Sequence, residues 1–276
     1  MNAHLNLSSR AGLRLILLMA TSVAGLTVEM PASAELSPAL DRVSISVGAF
    51  VANPTFNASV NTPYGILQSG DLALGEKVMP RVKGEIILFD SQGLSFDVYN
   101  YVHDYGGSTD HTANVFGTAV HTATNANFGL KLDYAKLAYK WWFGSGNTVV
   151  GVGAGAAYYK ISMLANASLS IDGPPNSIGG EYSDDAVAPL IEIGLRHAIN
   201  PDLRLFADAS GVRKSGGPLN GNIYTTAIGV EWFPAKNLGL VLAYGGSQID
   251  LKRDDPVIEN FNVKFQGPSA FIKFRF

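Results

Sequence analysis

The sequence lacks three features that would define other classes of protein. It contains no cysteine among its 276 residues, which excludes a disulfide scaffold and thiolate metal sites. Its 20 basic and 23 acidic side chains nearly balance, so no strong basic field is available to bind nucleic acid. Beyond residue 34, no apolar run approaches the roughly 18 residues of a membrane-spanning helix. Helical membrane proteins are therefore excluded as well.

The amino terminus has the three regions of a secretory signal peptide. Arg10 and Arg14 are basic, residues 15–28 are apolar, and Ala32-Ser33-Ala34 supplies small residues for cleavage. The apolar stretch is shorter than the roughly 20 residues that a transmembrane helix needs. We predict a signal peptide over residues 1–34 and a single domain over 35–276.

Period-two alternation, in which successive side chains face opposite ways, dominates the rest of the chain. At the carboxy terminus, Phe276, Phe274 and Ile272 share one face, while Lys273 and Arg275 share the other. Large apolar residues on one face and small or charged residues on the other are typical of strands that separate lipid from a lumen. A closed barrel also satisfies every backbone hydrogen bond within hydrocarbon.

Ten segments alternate over at least the roughly 9–11 residues that a tilted strand needs to cross a membrane. They cover 43–53, 78–90, 93–105, 127–143, 147–163, 184–199, 201–213, 222–233, 237–250 and 262–276. The predicted fold class is all-β, a closed antiparallel transmembrane β-barrel of about ten strands, with eight or twelve as alternatives. Short connections rich in turn formers should be periplasmic, and the long ones, such as 106–126 and 164–183, extracellular.

Aromatic residues group near the predicted strand ends. Tryptophan and tyrosine favour membrane interfaces, so we predict an interfacial girdle near the short turns. Its members are Trp141, Trp142, Trp232 and Phe276. A soluble β-sandwich with a large aromatic core is the alternative, but it does not predict aromatic residues at strand ends.

Residues 43–276 resemble bacterial outer-membrane β-barrel proteins of the small, even-stranded kind. The resemblance rests on the signal peptide, the alternation and the terminal Phe271-Ile272-Lys273-Phe274-Arg275-Phe276. It implies a monomer in the outer membrane of a Gram-negative bacterium, in contact with lipid and lipopolysaccharide. Periplasmic chaperones and the barrel-assembly machinery would be its partners during biogenesis.

Charged residues of both signs fall on the predicted inner face. We predict a lumen lining formed by Arg81, Lys83, Glu85, Asp97, Lys131, Asp133, Glu192, Arg196, Arg204, Asp208 and Glu231. At about ten strands the interior is only slightly wider than its own side chains. Unpaired buried charges are costly, so these residues should form an ionic network that fills the lumen. The barrel would then have a structural or surface-interaction role, and a narrow pore for small solutes or ions is the alternative.

A lipid-modifying hydrolase is the second alternative. His103, His111 and His121 lie close in sequence to Ser108 and could in principle form a nucleophile and base. Their spacing matches no hydrolase motif, so we predict no catalytic site, no metal site and no cofactor.

Overall fold

The computed structural model describes residues 36–62, 65–68, 72–73, 75–115, 118–171, 176–215, 219–253 and 258–276. The predicted signal peptide lies outside the described residues. Within them the secondary structure is twelve strands: β1 (Val43–Thr62), β2 (Gly65–Gln68), β3 (Leu72–Ala73), β4 (Lys77–Phe89), β5 (Gln92–Val115), β6 (Thr118–Phe143), β7 (Thr148–Ile171), β8 (Asn176–Asn200), β9 (Leu203–Lys214), β10 (Leu219–Ala235), β11 (Leu238–Arg253) and β12 (Ile258–Arg275). No helix among the described residues is long and apolar enough to cross a membrane.

Ten of these strands close into a barrel. From β4 to β12 each strand pairs antiparallel with the next, and β1 pairs with β4 on one side and β12 on the other. Ser44, for example, lies opposite Glu85 of β4 and Arg275 of β12. The short strands β2 and β3 pair only with the far part of β1. The predicted closed antiparallel barrel of ten strands is confirmed.

One end of the barrel, here called the turn end, carries the short connections. The strands there are joined at 90–91, 144–147, 201–202 and 236–237, close to the predicted turns. Gly144 and Gly146 have φ values of 111° and 63°, in the region that favours glycine.

The opposite, loop end differs from the prediction. The β5–β6 ladder continues without a register shift to Val115 and Thr118, and β7 and β8 are paired as far as Leu169 and Asn176. Much of 106–126 and 164–183, predicted as long loops, is therefore paired strand. Strands β5 to β8 have 24–26 residues each, more than twice the roughly 9–11 that a membrane crossing requires.

The two faces of the barrel wall exchange polarity part-way along the strands. On β6, the half near the turn end directs Lys136 and Lys140 inward and Leu137 outward. Past Tyr134 the inward side chains are Leu132 and Leu130, both buried. The charged side chains then face outward.

The same exchange occurs on β11 and β12. Leu240 and Leu242 face outward near the turn end of β11, whereas Gln248 and Asp250 face outward further along, with Ile249 buried inside. Near the turn end, the outer surface is an apolar band suited to hydrocarbon. Beyond it, the barrel resembles a water-soluble one, with an apolar interior and a polar exterior.

Aromatic residues mark both edges of the outer band. Trp141, Trp232 and Phe276 are 39%, 50% and 69% exposed at the turn end, as a girdle requires. Tyr224 and Tyr244 are exposed on the outer face toward the opposite edge. Trp142 does not join the girdle, and this prediction was wrong: its neighbour Trp141 faces outward, so strand alternation turns Trp142 into the lumen, where it is 3% exposed.

Candidate functional site: the barrel lumen

The part of the lumen nearest the turn end is filled by charged side chains, which together form the ionic layer. Nine of the eleven predicted lining residues face this space: Arg81, Lys83, Glu85, Asp97, Glu192, Arg196, Arg204, Asp208 and Glu231. They project from the alternate positions of β4, β5, β8, β9 and β10. The ionic layer also contains Lys136, Lys140 and Lys273.

Glu192 is the centre of one group in the ionic layer. Its carboxylate oxygens lie 2.8 Å from Lys136 Nζ and 3.0 Å from Lys140 Nζ. Ser95 Oγ donates a third hydrogen bond at 2.5 Å. Glu192 is only 3% exposed, so its negative charge is neutralised by two cations from the neighbouring part of the wall.

Two bidentate arginine–carboxylate pairs lie beside this group. Arg81 donates from Nε and Nη2 to both oxygens of Asp97, and Arg196 donates from Nη1 and Nη2 to both oxygens of Asp208. The planar guanidinium matches a carboxylate in this geometry, which makes such pairs strong and orients them. The Arg196 guanidinium also lies 5.3 Å from the Trp142 ring, whose Nε1 donates to Glu85.

The chain that precedes β1 closes the turn end of the lumen. Residues 36–42, here called the plug, bring Leu40 and Ala39 against Ile87 and Trp142 in a small apolar cluster. Ser37 Oγ donates to the carbonyl oxygen of Gly146 in the β6–β7 turn. These contacts hold the plug inside the barrel mouth.

Asp41 joins the plug to the charged wall. Its carboxylate lies 2.7 Å from Arg204 Nη1 and 3.0 Å from Lys273 Nζ. Lys273 Nζ also donates to both oxygens of Glu231 at 2.9 Å. Burial alone would raise the pKa of Asp41, but the Lys273 and Arg204 cations outweigh it and hold that pKa below its ordinary value of 3.8.

The lowered pKa gives the plug a defined pH dependence. A carboxylate with a depressed folded-state pKa stabilises fully above its unfolded pKa, and the contribution disappears as pH falls through the folded value. We expect amide hydrogen exchange of residues 36–41, corrected for its intrinsic pH dependence, to accelerate once the pH falls below about 4. The Asp41→Asn variant should exchange at least about tenfold faster at pH 7.

The matched control for this prediction is Asp202→Asn, which changes an exposed carboxylate at the same end of the barrel. It should leave exchange of the plug unchanged. Equal rates in Asp41→Asn and the unmodified protein at pH 7 would show that the ion pairs do not hold the plug.

Lys131 and Asp133 do not line the lumen, which corrects the prediction for these two residues. They follow the buried Leu130 and Leu132 in alternation, so they face outward, where Lys131 Nζ lies 3.5 Å from Asp133. Asp133 also accepts a hydrogen bond from Asn100 of β5. The prediction assumed that charge faces inward along the whole strand, whereas this part of β6 lies past the exchange of polarity.

The same exchange of polarity explains why Lys136 and Lys140 are absent from the predicted lumen lining. Alternation breaks at Tyr134-Ala135-Lys136, which suggests a bulge and obscures the parity of the remaining strand. In the structure, β5 and β6 pair through this segment with no register shift. The break in pattern marks the point where the faces exchange polarity.

Above the ionic layer, toward the loop end, the lumen is filled by apolar side chains, which form the apolar layer. It contains Phe50, Met79, Tyr99, Tyr101, Leu130, Leu132, Tyr134, Tyr159, Ile161, Leu190, Val212, Ile223, Ile249, Val263 and Phe265 with several alanines. Tyr99 and Tyr134 are stacked with ring centres 4.7 Å apart. Tyr101, Leu132 and Tyr159 are each 1% exposed, so this layer is packed like a protein core.

Comparison with solved structures identifies the architecture. The outer membrane protease OmpT from Escherichia coli superposes with a TM-score of 0.59 at 14% identity, covering 88% of this chain and 99% of OmpT. The chain folds as a bacterial outer-membrane β-barrel. At this identity the likeness to OmpT concerns the fold alone. The outer membrane protein OprG from Pseudomonas aeruginosa matches with a TM-score of 0.37 at 8% identity, covering 87% of this chain and 99% of OprG.

Comparison with protein-family models and with curated proteins found no match. In outer-membrane barrels, short turns face the periplasm and longer connections face the outside. We therefore expect the turn end, with the plug and the ionic layer, on the periplasmic side of the barrel. The apolar layer and the extended strands of β5 to β8 would then lie toward the cell exterior.

Proposed function

We propose that this protein is a closed outer-membrane barrel with a structural or surface-interaction role, rather than a channel or an enzyme. The observation that carries the proposal is that the lumen is filled at successive levels, by the plug, the ionic layer and the apolar layer. The proposed role requires no catalytic residue, no cofactor and no nucleic-acid partner.

The ionic layer supports a structural role because most of its charges form ion pairs with one another. Glu192 joins β8 to β6, Arg81 joins β4 to β5, and Arg196 joins β8 to β9. Each of these ion pairs holds two strands of the wall in one position relative to each other. A selective channel instead needs charged groups that are free to bind a passing ion and release it.

The apolar layer supports a closed barrel because it is packed with aliphatic side chains and aromatic rings and contains no charged group. A permeating ion would have to pass side chains such as Tyr101, Leu132 and Tyr159 and lose its hydration there. Apolar constrictions of this kind block conduction by excluding water. The layer therefore acts as a second seal, separate from the plug.

The length of β5 to β8 supports a surface-interaction role. Each strand has 24–26 residues, and about 9–11 suffice to cross the membrane. The surplus continues as paired strand beyond the apolar band, with polar side chains such as Lys131 and Asp133 outside. The barrel would thus display a rigid β-structure above the membrane surface, suited to contact with a molecule outside the cell.

The proposal includes the route to the membrane. Residues 1–34 would direct export, and the carboxy-terminal strand ending at Phe276 would be read by the barrel-assembly machinery after delivery by periplasmic chaperones. The mature protein would sit as a monomer among outer-membrane lipid and lipopolysaccharide of a Gram-negative bacterium.

Planar-bilayer recording tests the closed lumen. The purified protein is expected to give no single-channel steps, under conditions in which a porin reconstituted in the same way conducts. A variant that lacks residues 36–41 should also remain silent, because the apolar layer is intact. Reproducible steps from the unmodified protein would refute the proposal and favour the small-solute pore. Steps from the shortened variant alone would show that the plug is the only seal.

A further inference from the structure

The side chains of the ionic layer line a cavity of about 110 Å³. A cavity of this size has room for several water-sized molecules. Ser44, Ser46, Ser210, Thr225 and Ser269 contribute hydroxyl groups to its wall, and Phe206 contributes an aromatic ring. The cavity is thus polar enough to hold a solvated or hydrogen-bonded guest.

Lys83 is the one cation of this cavity wall without an ion pair among the described residues. Its ammonium lies 4.5 Å from the centre of the Phe271 ring and 5.1 Å from that of Phe206. Glu85, two residues along β4, accepts a hydrogen bond from Trp142 Nε1, and three other carboxylates of the wall are ion-paired with other cations. Asp97, Asp208 and Glu231 hold Arg81, Arg196 and Lys273 at 2.5, 2.7 and 2.9 Å.

The charges of the cavity wall do not balance. With the adjoining pair of Arg204 and Asp41 included, seven cations surround it, namely Arg81, Lys83, Lys136, Lys140, Arg196, Arg204 and Lys273, against six carboxylates, namely Asp41, Glu85, Asp97, Glu192, Asp208 and Glu231. An excess buried charge is strongly unfavourable unless something neutralises it. Aromatic rings reduce this cost but carry no net charge.

We propose that the cavity binds one small monovalent anion, of the size of chloride, beside the Lys83 ammonium. One negative charge neutralises the excess, whereas a divalent anion would reverse it. Ser46 lies directly opposite Lys83 in the β1–β4 register and is buried, so its hydroxyl is placed as a further donor. The anion would complete the ionic layer as a structural component.

Bromide is a suitable probe because it replaces chloride and scatters X-rays anomalously. The protein is refolded into detergent in sodium bromide or in sodium gluconate of equal ionic strength, and urea unfolding midpoints are compared. Crystals grown in bromide should show an anomalous peak within hydrogen-bond distance of Lys83 Nζ. The unfolding midpoint of the unmodified protein should be higher in bromide than in gluconate, by more than that of a variant without the Lys83 charge.

Lys83→Met tests the assignment, because methionine preserves length and packing but removes the charge. This variant should lose the anomalous peak and the bromide-dependent shift. Lys264→Met is the control, since Lys264 is an exposed lysine on the outer face of β12. It should keep both. Bromide and gluconate also affect unfolding in a general way, but this effect is the same in Lys264→Met and Lys83→Met and cancels when the two variants are compared.

The proposal fails if Lys83→Met and Lys264→Met respond alike to bromide. It also fails if no anomalous peak lies beside Lys83 in the unmodified protein. If Lys83→Met does not fold, this crystallographic measurement alone decides the proposal.

Discussion

Replacing Glu192 with glutamine is expected to lower the free energy of unfolding by about 3–5 kcal/mol. The substitution preserves the size of the side chain but removes the negative charge between Lys136 and Lys140. Both ammonium groups then remain inside the barrel without their shared partner. Removing one member of a buried ion pair is costly because the other charge stays desolvated.

The measurement is urea unfolding of the barrel in phospholipid vesicles, followed by tryptophan fluorescence and by the gel shift between folded and heated samples. Glu181→Gln is the matched control, because Glu181 lies on the same strand and is exposed. Its unfolding free energy should change by less than about 0.5 kcal/mol. A similarly small effect at Glu192 would show that water, rather than the carboxylate, compensates the two lysines.

Placing arginine at Leu242 should destabilise the barrel by about 2–4 kcal/mol in a lipid bilayer. Leu242 is 60% exposed on the outer face of β11, between Leu240 and Tyr244. If that face met water, an arginine there would be almost neutral, as exposed substitutions usually are. In hydrocarbon, the guanidinium loses its hydration, so the size of the effect reports which solvent surrounds this surface.

Gln248→Arg is the control for the second prediction. Gln248 lies on the same face of β11, past the exchange of polarity, and its amide donates to Asp250 at 3.0 Å. An arginine can pair with Asp250 there, so the free energy of unfolding should change by less than about 1 kcal/mol. An equal loss of unfolding free energy at both positions would show that Gln248 also lies within the hydrocarbon region. No cost at either would show that water, rather than hydrocarbon, surrounds the outer face of the barrel.

The strands and turns could be predicted from sequence because each is encoded locally. Alternation from Leu238 to Tyr244 specifies both a strand and its outward face, since successive side chains point to opposite sides. Turn formers separate this segment from its neighbours. Closure into a barrel follows because the strands are two-faced and because hydrocarbon tolerates no unpaired sheet edge.

The extent of the strands beyond the membrane was harder to predict. Residues 106–126 and 164–183 contain many glycines, serines and asparagines, which favour loops in isolation. In the structure, the described parts of both segments continue ladders already begun by β5 to β8. Pairing with a neighbour outweighs the weak local preference, because each added residue extends an existing ladder.

The sequence predicted most of the charged residues that face the lumen. It did not predict which of them form ion pairs with each other. Arg81 and Asp97 lie on adjacent strands, and the pair could be anticipated once the turn between β4 and β5 was known. Glu192 and Lys140 are separated by β7, and they meet across Gly153, which lies opposite both in register and has no side chain to keep them apart. The contact of Asp41 with Arg204 depends on a plug that no alternation pattern reveals.

The sequence by itself determined that this chain forms two-faced strands and that their outer surface near the turn end is apolar. Those properties reside in neighbouring residues. Only the tertiary structure decided where the inside of the barrel changes from charged to apolar, and therefore that Lys131 and Asp133 face outward and Trp142 inward. Side chains alternate with the same period in both halves of a strand. Whether a given face meets lipid, water or other side chains depends on distant strands and on the position along the barrel axis.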